Sequence, residues 1–163
     1  MNRKYEFTGE TRNWVGRTLH RIRAVRDFGD VKAGDLGGWI ETESNLSNDG
    51  NAWVYGNARV SGNADVYGNA RVYGNAWVYG NARVYGRKHI LWISMIGSRD
   101  DTVTFMRAKD EKIIVAVGCF VGTIEEFEKQ VDVTHGDNEH GKAYRLAIEL
   151  AKLRIDLDKE ETK

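Results

Sequence analysis

Residues 51 to 86 read NAWVYG (51–56), NARVSG (57–62), NADVYG (63–68), NARVYG (69–74), NAWVYG (75–80) and NARVYG (81–86). Six copies of a six-residue unit follow one another without insertion; Asn, Ala, Val and Gly are invariant and only the third and fifth positions vary. A strict short period is the signature of a repeat architecture in which each unit stacks on its neighbours. Within a unit, Ala and Val alternate, so in an extended segment both side chains point to one side and the residues between and after them point to the other. Gly followed by Asn supplies a bend, because both accept backbone conformations that other residues avoid. Three such bends close a triangular coil of 18 residues, and coils stack through parallel ladders at roughly 4.8 Å.

The aliphatic series extends back from the perfect copies through Leu46 to Ile40, with two extra residues between Leu46 and Val54. Ile90 and Ile96 keep the spacing, but Lys88 stands where a small residue is needed, so the coil is expected to end near Arg87. This divides the chain into an N-terminal β cap (1–38), a β-solenoid (39–87) and a C-terminal α+β module (88–163). Folding the array on an 18-residue coil stacks Trp53 under Arg71, Arg59 under Trp77, Asp65 under Arg83, Tyr55 under Tyr73 and Tyr67 under Tyr85. Cation–π contacts are expected for the two Trp–Arg pairs. Trp53, Tyr55, Arg71, Tyr73, Trp77 and Tyr79 are therefore expected on the outside as a rigid binding surface, since an apolar face of this size is normally covered by a partner.

In the N-terminal part, residues 4 to 8 and 17 to 25 read as strands joined through residues 9 to 16. In the C-terminal part, 90–96, 102–107 and 112–117 read as a three-stranded meander. Thr123-Ile-Glu-Glu126 is a capping box that starts a helix over about 124–131. A second helix is expected over about 139–157, with Tyr144, Ala147, Ile148, Ala151 and Ile155 on its buried face and Leu146, Leu150, Leu153 and Leu157 widening that face. Residues 158–163 form a charged tail. Both flanking parts would close the open strand edges at the two ends of the solenoid.

Equal numbers of Lys+Arg and Asp+Glu, 24 each, give no global field for nucleic acid. With Asp65 in the array, a nucleic-acid partner is disfavoured. The first ten residues lack an apolar segment of the secretory type, and the longest apolar run, 90–96, is too short to span a bilayer. A single cysteine, Cys119, excludes an intrachain disulfide. These features fit a cytoplasmic protein. His135, Asp137, Asn138 and His140 form the one cluster of ligand-type side chains, read as a possible ligand loop; its simpler reading is a helix cap with exposed histidines. No catalytic residue, metal or cofactor is assigned.

Val-x-Gly-Asn-Ala-x resembles the hexapeptide repeat of the bacterial acyltransferase superfamily, with Ile40-Glu41-x-x-Ser44 closest to that pattern. The resemblance implies a left-handed parallel β-helix, association as a homotrimer or homodimer and, for an enzyme, a histidine base in a groove that binds CoA. Here the array has no histidine: His20 precedes it and His89 follows it. The chain as a whole resembles phage- and prophage-encoded accessory proteins in Gly34-Asp-Leu-Gly-Gly-Trp-Ile-Glu41, in the array, in Gly118-Cys-Phe-x-Gly122, in His135-Gly-Asp-Asn138 and in Ala147-Ile-Glu-Leu-Ala-Lys152. That likeness implies a non-enzymatic protein that engages a bacterial host protein in the host cytoplasm, including inhibition of a defence system. A CoA-dependent acyltransferase and a small-ligand or nucleotide sequestering protein are the alternatives.

Overall fold

The computed structural model describes residues 2–158; all of the expected charged tail except Asp158 lies outside the described residues. The chain is mainly β, with two helices near its C-terminal end. Each repeat contributes one two-residue strand: β4 (Trp53–Val54), β5 (Arg59–Val60), β6 (Asp65–Val66), β7 (Arg71–Val72), β8 (Trp77–Val78) and β9 (Arg83–Val84). Pairing is parallel between every third strand, Trp53 with Arg71, Arg59 with Trp77 and Asp65 with Arg83. That is the 18-residue coil of the sequence. In the first coil, β3 (Leu36–Ile40) pairs Trp39 with Arg59, and Leu46 bridges to Val66. Both steps are two residues longer, the extra pair falling between Leu46 and Val54. Every repeat alanine and valine is buried, so the interior is the expected column of Ala and Val. From Gly50 to Gly80 the bends are glycines with positive φ, such as Gly68 at 63°, where a Cβ would lie 2.7 Å from the Tyr85 carbonyl oxygen of the next coil.

The N-terminal part is one long hairpin, β1 (Tyr5–Trp14) with β2 (Arg17–Ala24). The expected connection over residues 9–16 is in fact mostly strand. Gly9, at φ 92°, absorbs a register shift between Phe7 and Thr11, and the turn itself is only Val15 and Gly16, both at positive φ. β2 pairs antiparallel with β3, so the sheet order is β1-β2-β3-β5-β8 and the open edge of the first coil is covered.

At the other end, β10 (Ile90–Ile96), β11 (Asp101–Arg107), β12 (Ile113–Val117) and β13 (Phe120–Thr123) form a four-stranded antiparallel sheet. The three-stranded meander gains β13, which pairs Val117 with Phe120 across a two-residue turn at Gly118 (φ 55°). One face of this sheet (Met106, Ala108, Ile114, Ala116) joins the solenoid core. Its other face (Val103, Phe105, Ile113, Val115) packs on α1 (Ile124–His135) and α2 (Glu139–Arg154). Last-coil donors end on the module: Trp77 N–H donates to Thr104 Oγ1 at 3.0 Å and Tyr79 N–H to Met106 Sδ at 3.4 Å. The Thr123 capping box starts α1 as expected, and Asn138 caps α2 by accepting from Gly141 N–H. α2 buries Tyr144, Ala147, Ile148 and Ala151, but Leu146, Leu150 and Leu153 are exposed and do not widen that face.

Lys4 is wholly buried; its Nζ donates to the Ala52 carbonyl at 2.8 Å and lies 5.0 Å from the Phe28 ring centroid. Burial first, then Arg26, pushes its pKa down to about 8 from 10.5, with Asp49 opposing. Between those values the unfolded chain binds the proton more tightly than the folded one. Stability is therefore expected to rise as pH climbs through that window, by at most about 3 kcal/mol. Burial and Glu43 hold the Tyr5 phenol protonated above its usual 10, so above pH 10 the trend turns downward. Melting temperatures at roughly pH 7 and pH 9.5 check this; Lys4→Met is expected to abolish the rise.

Candidate binding groove

Two of the six outward residues are not on the surface. Trp53 is 1% exposed, packed edge-on by Tyr5 at 6.3 Å and Phe28 at 5.3 Å between centroids. Trp77 is 5% exposed, beneath Trp14 at 6.1 Å, and its Nε1–H donates to Ser61 Oγ at 2.9 Å. The N-terminal arm covers them, so these indoles form a second apolar layer outside the Ala–Val column. The cation–π partners change accordingly. Arg59 stacks on Trp14 at 3.8 Å, and Arg71 turns to Asp30. The tyrosine pairs form as the coil predicts, Tyr55–Tyr73 at 6.3 Å and Tyr67–Tyr85 at 5.0 Å. Tyr79 stacks on Trp77 and lines a separate polar cleft with Arg17, Glu41, Thr42 and Ser44.

Tyr55, Arg71 and Tyr73 remain together. With Arg87, Ile90, Leu91 and Trp92 they line a groove of about 820 Å³. Tyr73, 53% exposed, meets Trp92 edge-on at 4.6 Å. Trp92 stands one coil beyond Gly74, with its Nε1 2.9 Å from where a Gly74 Cβ would lie, so the glycine makes room for the indole. Arg71 Nη1 donates to Asp30 Oδ2 at 2.7 Å and lies 3.4 Å from the Tyr55 hydroxyl. The arginine holds the Asp30 carboxyl below its ordinary range, and partial burial raises the Tyr55 phenol. Arg87 is exposed and forms no ion pair among the described residues. The groove thus combines three aromatic rings, an aliphatic wall and one uncompensated guanidinium. Arg87, Ile90, Leu91 and Trp92 escaped the sequence reading because the array stops at Gly86. Counting one more coil places Leu91 above Tyr73 and Trp92 above Gly74.

The ligand-type cluster does not converge. His135 ends α1 and His140 lies in the first turn of α2, with ring centroids 5.6 Å apart. Asp137 points to solvent, 3.6 Å from Arg145 Nη1, and Asn138 is occupied as the α2 cap. Among the described residues, no three His, Cys, Asp or Glu side chains are placed to hold a metal ion. His135 instead lines a small cleft of about 250 Å³ with Thr134, Gln130 and Tyr144. Of the histidines considered as bases, His20 stacks on Phe7 at 4.7 Å. His89 is buried, and its Nδ1 accepts the Tyr85 N–H at 3.3 Å. Neither lines the groove. No helix among the described residues is long and apolar enough to cross a membrane.

Ladders and invariant repeat define a β-solenoid repeat protein. A family model described as "YdcK Beta solenoid repeat" matches residues 50–65 and 66–80. Over 51 residues the chain is 43% identical to "Uncharacterized acetyltransferase YdcK" of Escherichia coli (strain K12). That match takes in 31% of this chain and 15% of the relative's length, so the chain aligns with a small part of that protein.

Proposed function

We propose that this chain is a non-enzymatic binding protein whose groove at Tyr55, Arg71, Tyr73, Arg87 and Trp92 takes an acidic segment of a partner protein bearing an apolar or aromatic anchor. The observation that carries this is the groove's make-up: clustered rings beside the exposed Arg87, which forms no ion pair among the described residues. Aromatic and arginine side chains in concave sites are the usual anchors of protein recognition. The 18-residue ladders support stacked coils with a rigid groove wall, and the resemblance to hexapeptide repeats extends this to a closed left-handed triangular coil. Likeness to phage accessory proteins extends the reading to a bacterial host protein as partner, with inhibition of a defence factor as the outcome.

The acetyltransferase name of the relative favours a second reading, a CoA-dependent acyl transfer. It finds little support in the groove, which no histidine lines. Calorimetric titration with acetyl-CoA separates the two: no saturable heat is expected, and stoichiometric binding would favour the enzyme. For the partner, p-benzoylphenylalanine in place of Tyr73 and, on another face, in place of Tyr67 is irradiated in bacterial lysate. One dominant adduct is expected from position 73 only, lost when Arg87→Glu is added. Equal adducts from both positions, or none from position 73, would overturn the proposal.

A further inference from the structure

α2 carries two apolar faces. One, formed by Tyr144, Ala147, Ile148 and Ala151, is buried against α1 and the four-stranded sheet. On the other, Leu146, Leu150 and Leu153 are 74%, 41% and 81% exposed. Their spacing of four then three residues is the a/d spacing of a coiled-coil seam, and half-buried Ala143 extends it by one position. A surface helix normally turns charge to water on the side away from its core, so a stripe of leucines there marks a missing contact.

We infer that this seam pairs with the same seam on a second copy of the chain. The flanking charges are self-complementary. Glu149 and Arg154 lie on opposite sides of the seam, five residues apart, the separation that brings one helix's flank against the other's in a parallel pair. In an antiparallel pair the registers that face the leucines set Glu149 against its own copy, so the charges select the parallel arrangement, with the two-fold axis along the seam. The contact lies on the face of α2 turned away from the sheet, and none of its leucines lines the groove. A dimer then carries two grooves, which raises avidity for any partner that presents two copies of its segment. The interface itself does not depend on what the groove binds.

Sedimentation equilibrium of the full chain at roughly 100 µM tests this, a concentration where a short two-heptad seam with micromolar affinity is paired. The expected mass is twice the 18.5 kDa of the chain. Leu146→Glu and Leu153→Glu are each expected to return it to the monomer with the melting temperature of the isolated chain unchanged, because both positions face solvent in the monomer. A monomeric wild-type chain, including one that takes up a helix of a different protein on this face, would overturn the inference. So would a dimer that survives both substitutions.

Discussion

Trp53→Ala is expected to destabilise the protein by about 4 kcal/mol, the cost of emptying a fully enclosed indole site. The side chain sits between Tyr5 and Phe28, and Gly37 approaches so closely that a Cβ there would lie 2.6 Å from Trp53 Cζ2. None of these neighbours can collapse into the void without pulling the N-terminal arm off the solenoid. For a chain of this size the loss corresponds to roughly 10 °C in melting temperature. Calorimetric melting of Trp53→Ala beside Tyr73→Ala is the check. Tyr73 is half exposed, and its removal is expected to cost under about 1 kcal/mol. A Trp53→Ala cost as small as that of Tyr73→Ala would mean that the indole is a surface group and the arm a loose appendage.

Gly38→Ala is expected to cost about 3 kcal/mol through overpacking. A Cβ at this position would stand 2.7 Å from both the Ala58 carbonyl oxygen and Val54 Cγ1, and 3.1 Å from the Tyr55 carbonyl oxygen. Two of the three obstacles are hydrogen-bonded backbone, the Ala58 carbonyl accepting from Trp39 N–H in the ladder and the Tyr55 carbonyl from Ala58 N–H in the bend, so the strain cannot be relieved by a rotamer change. The informative comparison is Gly56→Ala. Gly56 has nothing within 4 Å of its Cβ direction but a φ of 53°, so only the left-handed backbone opposes it, at about 1 kcal/mol. Chemical denaturation of both variants separates steric from conformational cost; equal losses would contradict the close approach of β3 to the coil.

The interior of the solenoid was legible because a six-residue period states which side of each strand faces in. The outside was not. Periodicity places Trp53 and Trp77 outward, and that placement is right. It cannot say that Tyr5, Trp14 and Phe28, from a segment without a period, fold back over them. The same limit applies to Leu146, Leu150 and Leu153. A helix with apolar residues around most of its circumference reads as wide burial, whereas the sheet covers only one side. β13 was hidden because Phe120-Val-Gly-Thr carries a glycine and starts two residues after Gly118, so it reads as loop. Of the groove, Tyr55, Arg71 and Tyr73 could be brought together by coil arithmetic. Trp92 closes it from a strand that no longer obeys the repeat.

Trp53 and Trp77 hold the arm, whereas the proposed function assigns Tyr73, Trp92 and Arg87 to a partner. The most direct measurement takes the protein captured at position 73 and titrates it calorimetrically into wild-type chain, Tyr73→Ala, Arg87→Glu and the Tyr67→Ala control. Binding is predicted to weaken about 30-fold or more for each of the first two variants, roughly 2 kcal/mol, and to be unchanged for Tyr67→Ala. Affinity that survives Tyr73→Ala and Arg87→Glu, or falls equally with Tyr67→Ala, would contradict the groove as the binding site.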